Sequence, residues 1–214
     1  VTPANLQAKV ASATAKGIVE LATDAESVTG SDSGRATTPA NITAKMAAPG
    51  AIGGTTAAAA SFTTVSAAGN ITLGDAATIN MSTPLLAGAD HTYTGLSAQM
   101  LAGGAISAFD LVCIHTTTQE VVEADASAYA TARVIGIAPA AISDTATGTI
   151  LLQGFIRDDT WSWTAGSTLY LSETAGAMTH TAPSTDGAFV QVIGVALSPD
   201  VVYMNPSMDV IEHA

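Results

Sequence analysis

The pattern of apolar and polar positions changes along the chain, and its clearest part begins near Tyr93. From there on, short runs rich in Val, Ile, Leu, Thr and aromatic residues alternate with turns built from Gly, Pro, Asp and Ser. Such residues favour strands, and such turns end them. The pattern predicts a mainly β fold with a compact C-terminal β-barrel or sandwich over residues 93–214. The predicted strands are 108–115, 131–138, 147–157, 167–172, 188–197 and 201–204.

Two of these strands have related sequences. Residues 133–138 read RVIGIA and residues 191–196 read QVIGVA. This similarity predicts two core strands in similar places. The glycine that each contains would allow a β-bulge or close packing.

The N-terminal part, residues 1–50, contains a repeat. TPANLQAKV at 2–10 recurs as TPANITAKM at 38–46, and six of the nine positions are identical. A fixed period of this kind marks an array of supersecondary units, and we expect further copies upstream. Thr followed by Pro and Ala is a helix-start pattern, so we predict one helix to about Ala15 and a second that stops before Pro49. Between them, 17–22 is predicted to be a strand and 24–35 a polar turn region.

Residues 51–92 are poor in large side chains. Of residues 51–80, twenty-one are Ala, Gly, Ser or Thr. We predict a thin stalk with brief strands at 62–65 and 70–73, because apolar residues still recur along it. A disordered linker is the alternative.

Composition adds two constraints. Charged residues make up 11% of the chain, against about 25% in ordinary globular domains. Small and uncharged side chains suit a surface covered by copies of the same chain, so we expect an obligate oligomer. Residues 51–214 carry Arg133 and Arg157 against fourteen carboxylates. Such acidity repels phosphate backbones, which argues against nucleic acid as a partner. No apolar run is long enough for membrane insertion.

The stretch RDDTWSW at 157–163 is the candidate ligand-binding site. Trp161 and Trp163 would face the same way on a strand. With Asp158 and Asp159 they would form a platform for a glycan or another receptor, or they would anchor a trimer interface. Paired carboxylates can also support glycoside cleavage. Asp158 and Asp159 are neighbours in the sequence, however, and neighbouring residues on a strand face opposite sides of the sheet. This geometry argues against the two carboxylates acting as a catalytic acid and base.

Other chemistry has little support in the sequence. His91, His115, His180 and His213 lack the spacing of metal ligands, so no metal is predicted, although a trimer axis could gather three copies of one histidine. Nucleotide-binding loops and serine nucleophile motifs are absent from the sequence. We therefore predict a non-enzymatic protein without cofactors. Cys113 lies in an apolar run and is predicted to be a buried core residue.

A resemblance extends these expectations. The stretch AKGIVELAT at 15–23, the residues Glu26, Gly30 and Asp32, and RATTPAN at 35–41 resemble the strand–turn–helix repeat of tailed-bacteriophage tail fibres. Residues 51–65 are similar to a stalk motif of the same proteins, and residues from about 95 to 206 are similar to a small β module of phage structural proteins.

The resemblance implies an intertwined homotrimer in the virion, with its C-terminal end distal and engaging the bacterial surface. Its implied partners are copies of itself, other tail or baseplate proteins, and a host surface glycan or protein. Two alternatives stay open. One is a head fibre or capsid decoration without a receptor role, and the other is a tail-associated polysaccharide depolymerase.

Overall fold

The computed structural model describes residues 20–29, 35–47, 68, 70, 71, 79, 81 and 88–214. They belong to two compact units, residues 1–72 and 73–214. The first copy of the repeat, most of the strand predicted at 17–22 and the stalk strand at 62–65 lie outside the described residues. Within the other predicted stalk strand, Asn70 and Ile71 are described and belong to no strand.

The N-terminal unit has two short helices, α1 (Asp24–Thr29) and α2 (Pro39–Ala47). The start and end of α2 confirm the helix predicted from the repeat. The prediction for 24–35 was wrong in part, because α1 occupies its first half. The Thr23 N–H donates to Glu26 Oε2 at 2.9 Å, and the Glu26 N–H donates to Thr23 Oγ1 at 3.3 Å. This capping box satisfies N–H groups that a helix start leaves unpaired, and it therefore favours a helix.

The start of α2 has a similar arrangement. The Thr38 N–H donates to Asn41 Oδ1 at 2.9 Å, and the Asn41 N–H donates to Thr38 Oγ1 at 3.2 Å. Asn41 is buried, and its Nδ2 donates to Asp24 Oδ1 at 2.7 Å. One side chain therefore caps α2 and holds it to the first turn of α1. Neither described helix has the length and apolar character needed to cross a membrane.

Arg35 ties the segment before α1 to α1 itself. A parallel bridge joins Leu21 to Ala36, so the residues on either side of α1 lie next to each other. The Arg35 guanidinium forms ion pairs with Glu20, at 3.3 Å, and with Glu26. The described part of this unit is thus a pair of short helices held by polar contacts, with one isolated bridge between the segments on either side of α1.

The C-terminal unit is built from antiparallel strands. Nine of them form one sheet in the order β3-β2-β4-β5-β10-β9-β6-β7, with β1 added on β5, and β8 pairs with β11. The strands are β1 (Tyr93–Leu101), β2 (Leu111–Ile114), β3 (Val121–Glu123), β4 (Val134–Ile137), β5 (Thr147–Arg157), β6 (Thr168–Leu171), β7 (Met178–Thr179), β8 (Phe189–Val190), β9 (Val192–Ala196), β10 (Val201–Met204) and β11 (Ile211–Glu212).

The mainly β prediction is confirmed, with corrections to single strands. The predicted limits of β5 and β10 agree with the structure. The strand predicted at 188–197 is instead two strands, β8 and β9, which belong to different sheets. They separate at Gln191, whose side chain turns inward and is 2% exposed. Strands β1, β3, β7 and β11 carried no separate prediction.

The order of the main sheet has an internal symmetry. On one side of the β5–β10 pair lie β4, β2 and β3, and on the other lie β9, β6 and β7. Each half therefore consists of four antiparallel strands with the same pairing. The strands with the related sequences, β4 and β9, take the same place in the two halves, which confirms that prediction.

The bulges also correspond. On β4, Val134 pairs with Cys113 and Gly136 with Val112, so that Ile135 is left out of the pairing. On β9, Val192 and Gly194 pair with Tyr170 and Leu169, which leaves out Ile193. A Cβ added to Gly136 would lie 2.4 Å from the Leu151 carbonyl oxygen, and one added to Gly194 would lie 2.0 Å from that of Tyr203. Glycine thus permits the close packing predicted for both strands.

The main hydrophobic core is drawn from both halves of the sheet. Leu111 and Ile137 from one half and Leu169 and Ile193 from the other are fully buried in it. Backbone hydrogen bonds also join the ends of the sheet, because the Ala126 N–H donates to the Ser172 carbonyl and the Gly176 N–H to that of Ala124, at 2.9 and 2.8 Å. The sheet therefore curls around this core. A smaller cluster packs on the β1 side, around Ile106, Val112, Ile142 and Ile150.

β1 is an edge strand with unusual exposure. Over its full length it pairs with β5 on one side, and on the other side it pairs with no strand among the described residues. None of its nine residues is charged, and Tyr93, Leu96 and Leu101 are 43%, 61% and 44% exposed. Charges, prolines and covering loops normally protect long edge strands, and β1 lacks a charge or a proline of its own.

Candidate functional site

Five aromatic rings form a continuous row beyond the end of β5. The ring centroids of His91 and Phe109 are 4.9 Å apart, those of Phe109 and Trp161 5.6 Å, those of Trp161 and Trp163 6.3 Å, and those of Trp163 and His180 6.3 Å. These separations lie in the contact range of about 4.5–7 Å for aromatic pairs. We refer to these five side chains as the aromatic row.

The two tryptophans follow a turn and belong to no strand, which corrects the assumption of a strand. β5 ends at Arg157. The Asp158 side chain then accepts from the Thr160 N–H at 2.8 Å, and the Asp158 carbonyl accepts from the Trp161 N–H at 3.2 Å. Aspartate commonly forms turns of this kind with the backbone two residues on. Trp161 and Trp163 are nevertheless neighbours, with ring centroids 6.3 Å apart.

Asp158 and Asp159 have different surroundings. The Asp158 side chain is 8% exposed and that of Asp159 is 47% exposed. Asp159 Oδ1 accepts from Arg157 Nε at 2.6 Å, and Asp200 Oδ2 lies 3.7 Å from Arg157 Nη2. The backbone N–H of Asp159 donates to Asp90 Oδ1 at 2.9 Å. The carboxylates beside the row are therefore held by an arginine and by the turn.

Asp90 completes this network. Its Oδ1 accepts from the Asp159 N–H and from the His91 N–H, each at 2.9 Å. These bonds lower the pKa of the Asp90 carboxyl, the bond from Asp159 most of all, and the nearby Arg157 charge acts in the same direction. Asp90 therefore stays ionised beside the row and helps to fix the backbone of its first member.

The central rings are only partly exposed. Phe109, Trp161 and Trp163 pack with one part of each ring against the main core. Trp163 Nε1 is buried and has no hydrogen-bond partner among the described residues. A buried donor without an acceptor is uncommon in a folded domain. The row thus combines a structural role with rings that are only partly buried and with one N–H donor that has no partner among the described residues.

Backbone strain occurs at two members of the row. Phe109 has a φ of 69° and His91 a φ of 59°, in the left-handed region. Bulky residues rarely adopt this conformation, and such strain clusters at functional sites. At Phe109 the conformation is held by a hydrogen bond from its N–H to the Ala138 carbonyl at 2.7 Å.

One group beside the row could hold a metal ion. Asp90, His91 and Asp158 offer ligand atoms that all lie within 4.8 Å of one another. His91 Nε2 is 3.3 Å from Asp90 Oδ2 and 4.0 Å from Asp158 Oδ1. The Arg157 guanidinium already supplies positive charge to this network. The negative charge of Asp90 is therefore already partly balanced by a side chain of the protein.

The structure adds residues that were not part of the predicted site. Phe109 and Asp90 have no part in the site predicted from the sequence. His91 and His180 enter that prediction only as histidines without the spacing of metal ligands. Residues 91, 109 and 180 are distant along the chain from Trp161, and no local pattern links them. The sequence feature that predicted part of the site is the pair of tryptophans beside two carboxylates at 157–163.

Cys113 has no part in this site. It is fully buried in the main core, as predicted. Burial raises the pKa of its thiol to about 11, and the Asp125 charge acts in the same direction. Since the thiolate is the reactive form, this cysteine is a poor nucleophile.

No protein-family model matches this chain, and no curated protein matches its sequence.

Proposed function

We propose that the chain is a structural segment of a virion fibre that assembles as a homotrimer. Its C-terminal β domain would attach the particle to the bacterial surface, with the aromatic row as the contact surface for a host glycan. The other partners would be tail or baseplate proteins. The observation that carries the attachment role is the aromatic row, and the fibre role depends on the resemblance of the N-terminal repeat.

The geometry of the repeat supports the fibre role. Residues that carry the resemblance contact one another: Glu26 with Arg35, and Thr38 with Asn41. The described part of the motif is therefore connected by its own polar side chains. A unit that is small and poor in apolar core needs neighbours for stability, as the units of repeat proteins do.

The exposed edge of β1 supports assembly. β1 has nine uncharged residues, and on the side away from β5 its backbone N–H and C=O groups pair with no strand of the described residues, so they are a template for another chain. In a strongly acidic protein, a strand without charge is also where two copies repel each other least. We infer that β1 contacts another copy of this chain.

The aromatic row supports glycan binding. Aromatic faces pack against the C–H groups of sugars, and the exposed carboxylate of Asp159 can accept hydrogen bonds from hydroxyl groups. The same geometry favours binding over cleavage. Asp158 is buried with its Oδ1 bonded to a backbone N–H, and Asp159 is paired with Arg157, so neither is placed as a free acid or base.

The test is binding of the whole chain to an array of bacterial surface glycans. We expect Trp161→Ala to lower the bound signal about tenfold or more, since a central aromatic contact contributes about 2 kcal/mol. Multivalent binding would enlarge the effect. Because Trp161 also packs on the core, His180→Ala provides a second variant at the exposed end of the row.

The matched control is Tyr129→Ala, which removes an aromatic side chain that is 55% exposed and outside the row. Binding should survive this change. Light scattering should give a trimer for all variants. Glycan binding that persists in both row variants would contradict the proposed contact surface, and a stable wild-type monomer would contradict the fibre assembly.

A further inference from the structure

A second feature of the C-terminal domain is an apolar cavity of about 440 Å³. It lies between the end of β2, the chain around β4 and the segment before β11. Its apolar wall includes Ile114, Val134, Ile135 and Val210, and Arg133 and Tyr129 also line it. Small-molecule sites are typically concave, mostly apolar and about 300–1,000 Å³ in volume. None of its lining residues belongs to the aromatic row.

The polar side chains that line the cavity differ in how many hydrogen-bond donors they keep for a ligand. Gln191 is buried and makes three hydrogen bonds: its Oε1 accepts from the Val134 N–H, and its Nε2 donates to the carbonyls of Val134 and Ser207. His115 Nδ1 accepts from the Thr118 N–H at 3.2 Å. Gln191 therefore shapes the wall but has both of its amide N–H donors engaged, whereas Arg133 keeps donors for a further partner.

Arg133 stands out by its charge. Residues 51–214 contain two basic residues, Arg133 and Arg157, and fourteen carboxylates. Arg157 is buried and paired with Asp159 and Asp200. Arg133 is exposed and forms no ion pair with a carboxylate of the described residues. It donates instead to the Tyr129 hydroxyl, and its guanidinium carbon lies 4.8 Å from the centroid of that ring.

This arrangement holds a cation in place without neutralising it. A guanidinium has five N–H donors, and the tyrosine hydroxyl uses only part of them. Stacking on the ring restricts the side chain, so that less conformational freedom is lost when an anion binds. The remaining donors match the two oxygens of a carboxylate. The wall beside them is apolar, which suits the rest of such a molecule.

We infer that this cavity binds a small molecule with an apolar body and one carboxylate. The apolar body fills the space beside Ile135 and Val210, and the carboxylate pairs with Arg133. The observations that carry the inference are the volume, the apolar wall and an arginine that pairs with no carboxylate of the described residues. The inference does not depend on the proposed fibre function, and it concerns a different surface from the aromatic row.

The test uses isothermal titration of the whole chain with sodium octanoate and, separately, with octan-1-ol, which has the same chain length without the charge. We expect saturable octanoate binding about tenfold tighter than octanol binding, as one charge-assisted hydrogen-bonded pair provides. Arg133→Met should lower octanoate affinity about tenfold, to that of octanol, and leave octanol binding unchanged. Ala130→Phe, which fills the cavity from its rim, should abolish both.

Thermal unfolding followed by circular dichroism verifies that both variants fold. The absence of saturable octanoate binding overturns the inference. Binding that neither variant changes also overturns it, since the site would lie elsewhere. Equal affinity for octanoate and octanol would contradict the inference that Arg133 pairs with the carboxylate of the ligand. A change of oligomeric state in Arg133→Met, measured by light scattering, would assign the cavity to an interface between copies instead.

Discussion

Gly95 on β1 and Gly154 on β5 face each other where the two backbones come too close for any side chain. A Cβ on Gly95 would lie 2.1 Å from the Gln153 carbonyl oxygen, and a Cβ on Gly154 would lie 2.1 Å from the Thr94 carbonyl oxygen. The φ angles are 151° and 148°, which side chains disfavour. The pair lies next to the register shift of this strand pairing and determines how β1 joins the sheet.

Gly154→Ala should therefore destabilise the β domain strongly. Both the contact with the backbone and the unfavourable φ act against alanine, and we expect a loss of at least about 3 kcal/mol in the free energy of unfolding. Gly166→Ala is the matched control, because Gly166 has a φ of 83° and open space around it. It should cost only about 1–2 kcal/mol. Urea unfolding at one fixed protein concentration compares them, and equal losses would refute the close approach.

Gln191 should be critical for the packing of β4 against the segment after β10. Its three hydrogen bonds, of 2.8, 3.1 and 2.7 Å, serve two groups of Val134 and the Ser207 carbonyl. Gln191→Leu leaves these groups without a partner, and we expect a loss of about 3 kcal/mol. Gln153→Leu removes an exposed amide that bonds only Tyr203, and should change the stability by about 0.5 kcal/mol or less. Denaturant unfolding distinguishes the two, and similar values would contradict this role.

Leu96→Lys tests the proposed contact between copies at β1. Leu96 is 61% exposed on an uncharged edge strand, and a lysine there is a natural means of blocking strand pairing. We expect the variant to keep its circular dichroism spectrum and to elute as a monomer in chromatography with light scattering. Ile211→Lys changes a residue that is 67% exposed on β11 and should leave the assembly intact. An undiminished oligomer in Leu96→Lys would exclude β1 from the interface.

The N-terminal unit should lose stability in acid through Glu26. Hydrogen bonds from the Thr23 backbone and hydroxyl, and the Arg35 charge, lower the pKa of this carboxyl below 4.5. A carboxyl whose pKa is lower in the folded than in the unfolded state stabilises the fold at pH values above the unfolded-state pKa. This contribution is lost as the pH falls through the folded-state pKa. NMR titration of the whole chain should show the α1 amide signals moving in that acidic range. Glu26→Gln should remove this transition, and an identical titration in the variant would assign the effect to another group.

Much of the β domain could be predicted from local pattern. The limits of β5 and β10 follow from runs of apolar and β-branched residues, and the similarity of RVIGIA to QVIGVA indicated the two related strands. The start of α1 is also encoded locally, by the capping box of Thr23 and Glu26. The polar composition of 24–35 nevertheless favours the prediction of a turn over that of a helix. The split between β8 and β9 was not visible, because it depends on a buried partner for Gln191 that is distant in sequence.

The candidate site also contains residues that the sequence indicates and residues that only the tertiary structure brings together. By itself the sequence determined a mainly β domain, its related strands, its acidic charge and the presence of Trp161 and Trp163 beside two carboxylates, because these depend on neighbouring residues. Only the tertiary structure decided that the tryptophans follow a turn and that His91, Phe109 and His180 extend them into a row. It also decided that Arg133 lines a cavity and pairs with no carboxylate of the described residues. Such contacts join residues far apart in the chain, and their geometry follows from strand pairing and core packing.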